Sequence, residues 1–210
     1  MEIDLVILVV GAMYLSLLVE LLFFSVPSEV STYQLLFKKK QSNQYSLLKK
    51  FQSLSDLLKI LLLVIPALIF IASFCFPLVL LFFNNVKETF AAWSVLQSEL
   101  FEIIGIILVV LGRFVTFHAV LILRKTKKES IDERSLIKKG LFSISRNPIV
   151  VGLHLTFLGL LLLFPYYVMI AGFLVFIANM HFKILLEEDY MKVNFGSDFR
   201  EYMNKTKRYF

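Results

Sequence analysis

Long apolar runs joined by shorter, basic connections make up most of this chain. Of its 210 residues, 58% are hydrophobic and only 18% are charged, whereas a soluble domain is about half apolar and about a quarter charged. Five runs approach or exceed the roughly 20 residues that a helix needs to cross a hydrocarbon core of about 30 Å. Because lipid offers the backbone no hydrogen-bond partners, each run is predicted to be a helix. The sequence therefore predicts an all-α integral membrane protein.

The five predicted spans differ in length. They cover about 3–24, 58–83, 101–123, 149–164 and 167–182. The first begins with acidic residues and lacks a small-residue cleavage pattern, so it is predicted to be a retained helix rather than a signal peptide. Only Pro165 and Tyr166 separate the last two, which predicts a short helical hairpin. After the hairpin, apolar residues from Leu185 to Tyr202 are spaced as in an amphipathic helix that lies along the cytoplasmic interface.

Positive charge is distributed asymmetrically among the connections. Of the 22 Lys and Arg residues, 20 lie in three segments, 38–59, 124–146 and 183–208. By the positive-inside rule, the N-terminus is predicted to lie outside and the C-terminus in the cytoplasm. The same asymmetry explains the pI of about 9.3. It predicts contact with anionic membrane lipids, and we expect no nucleic-acid partner.

One basic residue falls near the middle of a predicted span. Arg113 lies near the middle of the third run, where a charged side chain costs about 2.5–3.5 kcal/mol on insertion scales. It is therefore expected to face a partner, and Glu20 and Glu102 are the candidates, with His118 as a polar neighbour. Both a structural and a functional role for this pair stay open.

Two other features concern metals and packing. Cys75 is the single cysteine, which excludes a disulfide framework and a multi-cysteine metal site within one chain. His154 and His181 have no third ligand at a recognisable spacing, so no metal is predicted.

A stripe of small residues lets a neighbouring helix approach closely, and we expect it to pack on the fifth span; its members are Gly152, Thr156 and Gly159.

The entrance to the hairpin carries a cation beside a helix start. Pro148 suits the first turn of a helix and Asn147 is a favourable N-cap, while Arg146 adds a guanidinium to the exposed backbone donors. An ordinary membrane helix start would show the same pattern. However, a hairpin would return Glu187 and Glu188 to the face that carries Arg146. This convergence predicts a pocket able to hold a zwitterion.

Four short patterns follow one another in this part of the chain. They are Gly140-Leu141-Phe142, Arg146-Asn147-Pro148-x-x-x-Gly152, Glu187-Glu188, and Phe195-Gly196-x-x-Phe199-x-x-Tyr202. In order and spacing they resemble the isoprenylcysteine carboxyl methyltransferase family and the related phospholipid N-methyltransferases. Those enzymes show Gly-x-Tyr, Arg-His-Pro-x-Tyr-x-Gly, Glu-Glu and Phe-Gly-x-x-Tyr-x-x-Tyr. Here Asn147 replaces the motif His, and Phe142 and Val150 replace two motif tyrosines.

The resemblance implies S-adenosylmethionine bound between the hairpin entrance and the C-terminal helix. It implies one structural domain, with a three-span region over 1–125 and a cofactor-binding region over 126–210. The cofactor-binding positions that it implies are Ser135, Leu136, Ile137, Phe142, Arg146, Asn147, Pro148, Val150 and Glu187. Lys183, four residues before the first glutamate, matches the position associated with the carboxylate of the acceptor, and it is assigned with Glu188 to catalysis.

Methyl transfer from a sulfonium is an in-line displacement, so the protein must mainly align the reactants and exclude water. A carboxylate acceptor is already ionised at neutral pH, whereas an amine would need a base, for which Glu188 or His181 is a candidate. The expected activity is methyl transfer to a lipid-like or isoprenylcysteine-type carboxylate at the cytoplasmic membrane face. Two alternatives stay open: a membrane NADPH-dependent reductase resembling sterol reductases, and a non-catalytic scaffold. The sequence does not indicate the oligomeric state.

Overall fold

The computed structural model describes residues 5–23, 46–129 and 136–209. Over these ranges the chain is helical, as predicted. The helices are α1 (Leu5–Phe23), α2 (Ser46–Gln52), α3 (Asp56–Phe82), α4 (Asn84–Thr89), α5 (Glu99–Glu129), α6 (Leu141–Ile144), α7 (Pro148–Leu163) and α8 (Tyr167–Lys205), with a 3₁₀ turn at Ser94–Leu96. Among the predicted site residues, Ser135 lies outside the described ranges.

The helices are those of a multi-pass membrane protein. Within the described ranges, four are long and apolar enough to cross a membrane, namely α1, α3, α5 and α8. Helix α7 is also apolar but has 16 residues, which corresponds to about 24 Å of rise. The predicted integral membrane class is therefore confirmed, whereas the count of five spans is not. The orientation of the termini stays a prediction.

Helix α3 stays continuous through two prolines. Its first turns, Asp56–Lys59, pass through a π-helical segment, Ile60–Val64, before Pro66. Because proline has no N–H, the carbonyl four residues earlier loses its helical partner. Asn179 of α8 donates its side-chain Nδ2 to the carbonyls of Leu62 and Leu63, at 3.4 and 3.5 Å. This contact joins α8 to the segment that Pro66 disturbs.

The small residues of α7 pack on α5 rather than on α8, so the predicted partner of the stripe is wrong. An added Cβ at Gly152 would lie 2.7 Å from the carbonyl oxygen of Gly112, and one at Gly159 would lie 2.6 Å from that of Gly105. The reason is that α5 carries glycines of its own, so both backbones can approach closely. Helix α8 packs on α7 and α3 through large aromatic side chains, including Phe70, Phe157 and Phe176.

The predicted hairpin forms from α7 and the apolar first part of α8. Its tip is held by a connection before α5: the Trp93 N–H donates to the Pro165 carbonyl at 2.6 Å, and the Tyr167 N–H donates to the Ala91 carbonyl at 3.1 Å. These bonds pair backbone groups that the proline-containing tip leaves outside the helices. The two ends of the hairpin at 148 and 183 are thereby returned to the same side of the molecule.

The predicted separate C-terminal amphipathic helix is not confirmed. Helix α8 continues past the apolar segment 167–182 and is kinked at Gly196, which has φ 50° and ψ −117°. A left-handed φ favours glycine, so Gly196 redirects the last turns. Phe199 and Tyr202 are consequently buried against the rest of the protein.

Candidate active site at the hairpin entrance

The hairpin entrance begins with a turn that needs glycine. Gly140 has φ 59°, and an added Cβ would lie 2.7 Å from Cδ1 of Ile122. The short helix α6 follows, and Pro148 then occupies the first turn of α7. The Asn147 side chain makes no capping hydrogen bond to α7, contrary to the prediction. Instead, Asn147 donates Nδ2 to the carbonyl of Arg208 at 3.1 Å.

The residues after α8 form a tail, here defined as 206–209, that lies along this entrance. Ser145 and Lys207 form a parallel β-bridge, and the Arg146 N–H donates to the Lys207 carbonyl at 2.9 Å. The Ser145 hydroxyl donates to the Arg208 carbonyl at 3.2 Å. Segments about 60 residues apart are thus held together by main-chain groups as well as by side chains.

Two arginines and one glutamate form the charged centre of this region, which we call the Arg–Glu–Arg cluster: Arg146, Glu188 and Arg208. Arg146 donates Nη2 to Glu188 Oε1 at 2.8 Å, and Arg208 donates Nη2 to Glu188 Oε2 at 2.7 Å. The side chains of Arg146 and Glu188 are only 9% and 6% exposed. Arg146 also donates Nη1 to the carbonyls of Met203 and Thr206.

Both arginines stabilise the ionised form of Glu188, which follows the apolar segment 167–182 of α8. Burial raises the pKa of this carboxyl, but the hydrogen bonds and positive charges of Arg208 and Arg146 outweigh that effect and hold its pKa below the ordinary value. The hydrogen bond to Glu188 also raises the pKa of Arg208. The cluster therefore stays fully charged at neutral pH.

Of the two adjacent glutamates that were predicted to return to Arg146, Glu188 contacts it and Glu187 does not. Adjacent helical residues project about 100° apart, so only one of the pair reaches the cluster. Glu187 Oε1 instead lies 3.6 Å from Nζ of Lys183, with side chains 30% and 27% exposed. Glu187 and Lys183 thus form a second, more accessible charge pair on a neighbouring face of α8.

The remaining predicted site residues line the entrance mainly through their backbones. The carbonyl of Phe142 accepts a hydrogen bond from the Tyr202 hydroxyl at 2.5 Å. The carbonyl of Val150 lies 2.7 Å from Nδ1 of His154. Leu136 and Ile137 are partly buried in the non-helical segment that leads to Gly140. None of these contacts requires a hydroxyl at positions 142 or 150.

An apolar cavity of about 320 Å³ opens beside the cluster, between α7 and α8. Its rim is polar, because the Tyr209 hydroxyl lies 2.9 Å from Nδ1 of His181. The lining residues are Val151, His154, Leu155, Leu158, Phe173, Ile177, His181 and Tyr209. Among the described residues, no cluster of three potential metal-ligating side chains occurs. His154 and His181 form part of the cavity wall.

The tail residues Arg208 and Tyr209, which contact Glu188 and His181, were not predicted to belong to the site. The available signal was the basic run that follows the Phe195-to-Tyr202 pattern, together with Gly196 as a helix-breaking residue. Residue periodicity predicts regular helices only, so it does not indicate where the chain runs after the last helical turn.

Comparison with known proteins supports the resemblance. Residues 100–198 match the family described as Phospholipid methyltransferase. The chain is 33% identical over 122 residues to Protein-S-isoprenylcysteine O-methyltransferase of Saccharomyces cerevisiae, an alignment that covers 53% of this chain and 49% of the yeast protein. The chain thus spans about half the length of the curated relative that it matches. No solved structure gives a significant match.

The matched segment from 100 to 198 contains α7, most of α8 and both Arg146 and Glu188. These are the elements that build the hairpin and its charged entrance. The resemblance predicted from the short motifs is therefore confirmed. Over residues 100–198 the chain is similar to the family described as Phospholipid methyltransferase, and over 122 residues it is similar to the yeast Protein-S-isoprenylcysteine O-methyltransferase.

Proposed function

We propose that this protein is an S-adenosylmethionine-dependent methyltransferase that acts on a lipid-like or isoprenylcysteine-type carboxylate at the cytoplasmic membrane face. The observation that carries the proposal is the buried contact between Arg146 and Glu188, which closes the hairpin beside an apolar cavity. A charged centre next to an apolar cavity suits a reaction between a polar donor and an amphipathic acceptor.

The charges at the entrance fit the proposed donor. S-adenosylmethionine carries a carboxylate, an ammonium and a sulfonium, so it needs both cationic and anionic side chains. The entrance offers Arg146 and Asn147, and the neighbouring face of α8 offers the partly exposed Glu187. We propose that Glu187 contacts it directly and that Arg146 and Asn147 shape its site, together with the backbone at Ser135, Leu136 and Ile137 and the turn formed by Phe142, Pro148 and Val150.

When bound, S-adenosylmethionine supplies a methyl group activated by its positively charged sulfur. The protein then has to bind, orient and desolvate the two reactants, because a carboxylate acceptor needs no base. The buried Arg–Glu–Arg cluster fixes the hairpin entrance, and the apolar cavity walls exclude water. For an amine acceptor, Glu188 would be a poor base, since both of its oxygens accept hydrogen bonds from arginine.

A direct binding experiment tests the proposal. Purified full-length protein in lipid nanodiscs is titrated with S-adenosylmethionine and, separately, with NADPH in an isothermal calorimeter. Saturable binding of S-adenosylmethionine alone is expected, followed by transfer of radiolabelled methyl groups to an extracted lipid fraction. Binding of NADPH alone would instead favour the reductase, and binding of neither ligand would favour the scaffold.

A further inference from the structure

The contacts described above occupy only some of the hydrogen-bond donors of the Arg208 guanidinium. Its Nε donates to Glu188 Oε1 at 3.0 Å and its Nη2 to Oε2 at 2.7 Å. Within the described ranges, Nη1 donates no hydrogen bond, and the side chain is 30% exposed whereas that of Glu188 is 6% exposed. One edge of the guanidinium thus holds Glu188 and the other is open to a ligand.

The cluster also carries excess positive charge. It contains two guanidinium groups and one carboxylate, and the Arg146 group is committed to Glu188 and to backbone carbonyls of Met203 and Thr206. The uncompensated charge is therefore presented at Arg208, the more exposed of the two arginines. A partly buried guanidinium with a free edge recognises carboxylates through charge-assisted hydrogen bonds.

The wall of the apolar cavity includes the residue that follows Arg208 in the chain. Tyr209, the next residue, lines the cavity together with His181. His181 and Glu188 are seven residues apart on the same face of α8, which separates them by about 10 Å along the helix. A ligand with its anionic end at Arg208 would therefore have an apolar space within reach of an attached hydrocarbon chain.

We propose that Arg208 is the residue that selects an anionic acceptor, by binding its carboxylate at the mouth of the apolar cavity. This inference rests on the proposed function and adds to it the group that recognises the acceptor. Arg208 rather than Lys183 then contacts the carboxylate, because Lys183 lies with Glu187 on another face of α8.

The backbone of Arg208 also has contacts that do not involve its side chain. The Arg208 carbonyl accepts hydrogen bonds from the Ser145 hydroxyl and from Asn147 Nδ2, and the bridge between Ser145 and Lys207 is also made by main-chain groups. Lys207 has an exposed side chain. Lys207→Gln is therefore a matched control that removes one positive charge from the same tail.

The test measures binding of an acid and of its neutral analogue to the full-length protein in nanodiscs. The probes are N-acetyl-S-farnesylcysteine and the corresponding carboxamide, each titrated without S-adenosylmethionine. The parent protein is expected to prefer the acid. Arg208→Gln should weaken acid binding about tenfold or more, the loss of a hydrogen bond to a charged group, and leave amide binding unchanged. Arg208→Lys should recover only part of the preference, and Lys207→Gln should behave as the parent.

Three results would overturn the proposal: no preference for the acid in the parent, equal weakening of acid and amide binding by Arg208→Gln, or an equal effect of Lys207→Gln. Loss of S-adenosylmethionine affinity in Arg208→Gln with the acid preference retained would also overturn it, because Arg208 would then serve the cofactor. The proposed function fails separately, if the parent protein does not bind S-adenosylmethionine.

Discussion

Arg113 of α5 and Glu20 of α1 form an ion pair of 2.5 Å between two apolar helices. Ser16, one turn before Glu20, accepts a second hydrogen bond from Arg113 Nε at 3.0 Å. Both charges are largely buried, with 9% and 14% of their side chains exposed. Of the two acidic partners predicted for Arg113, Glu20 is the one that pairs with it. The contact fixes the position of α1, which carries no other charged residue in its described range.

Removal of one partner of this pair should therefore destabilise the protein severely. Glu20→Ala leaves Arg113 uncompensated in an apolar environment, and a loss of about 3–5 kcal/mol is expected. The double variant Glu20→Leu with Arg113→Met should recover much of this loss, because a buried ion pair can be replaced by apolar side chains at little cost. Thermal unfolding in detergent, followed by the helical circular dichroism signal, measures both. A double variant as unstable as Glu20→Ala would contradict the prediction.

The close contact of α5 with α7 predicts opposite effects of the same substitution at two glycines. A Cβ at Gly112 would lie 2.5 Å from the backbone nitrogen of Thr156, whereas a Cβ at Gly11 would have no neighbour within 4 Å. Gly112→Ala should cost about 1–3 kcal/mol through overpacking. Gly11→Ala should be neutral or stabilise by up to about 1 kcal/mol, since alanine is the better helix former. Equal melting temperatures of the two variants would contradict the close approach.

Attachment of the tail should depend on pH through Glu188. Because the arginines lower the pKa of this carboxyl in the folded protein, its contribution is complete above the ordinary glutamate pKa of about 4.3 and is lost as the pH falls through the lowered value. Hydrogen-exchange protection factors of residues 206–209 should therefore fall on acidification below about pH 4. In Glu188→Gln the protection should be low at neutral pH and change little with pH. A parent-like pH response of that variant would show that another group controls the tail.

The partly exposed carboxylate of Glu187 can be tested against a remote glutamate as the control. If Glu187 binds a cationic group of S-adenosylmethionine, Glu187→Ala should weaken that binding about tenfold or more without changing the melting temperature by more than a few degrees. Glu201 is exposed and pairs with Lys205 at 2.6 Å, so Glu201→Ala should leave cofactor affinity unchanged. Calorimetric titration of the two variants provides the comparison. Unchanged affinity in Glu187→Ala would remove this residue from the cofactor site.

The long apolar helices and the location of the hairpin could be predicted from the sequence alone. Apolar runs of span length have few alternatives to the helix, because an unpaired backbone group in lipid costs several kcal/mol. Pro165 marked the tip between α7 and α8 for a local reason, since proline cannot continue a helix. The need of Arg113 for an acidic partner also followed from its position alone, because an isolated charge is unfavourable within a span.

Which of several chemically equivalent residues come into contact depends on how the helices pack against one another. The small-residue stripe of α7 could face any neighbouring helix, and it packs on α5 because Gly105 and Gly112 leave space there. Likewise, the rotation of α8 about its axis selects Glu188 rather than Glu187 as the partner of Arg146. The left-handed φ of Gly196 precedes the turns that return Arg208 to this glutamate. Contacts of this kind depend on the relative placement of distant segments, which residue periodicity does not specify.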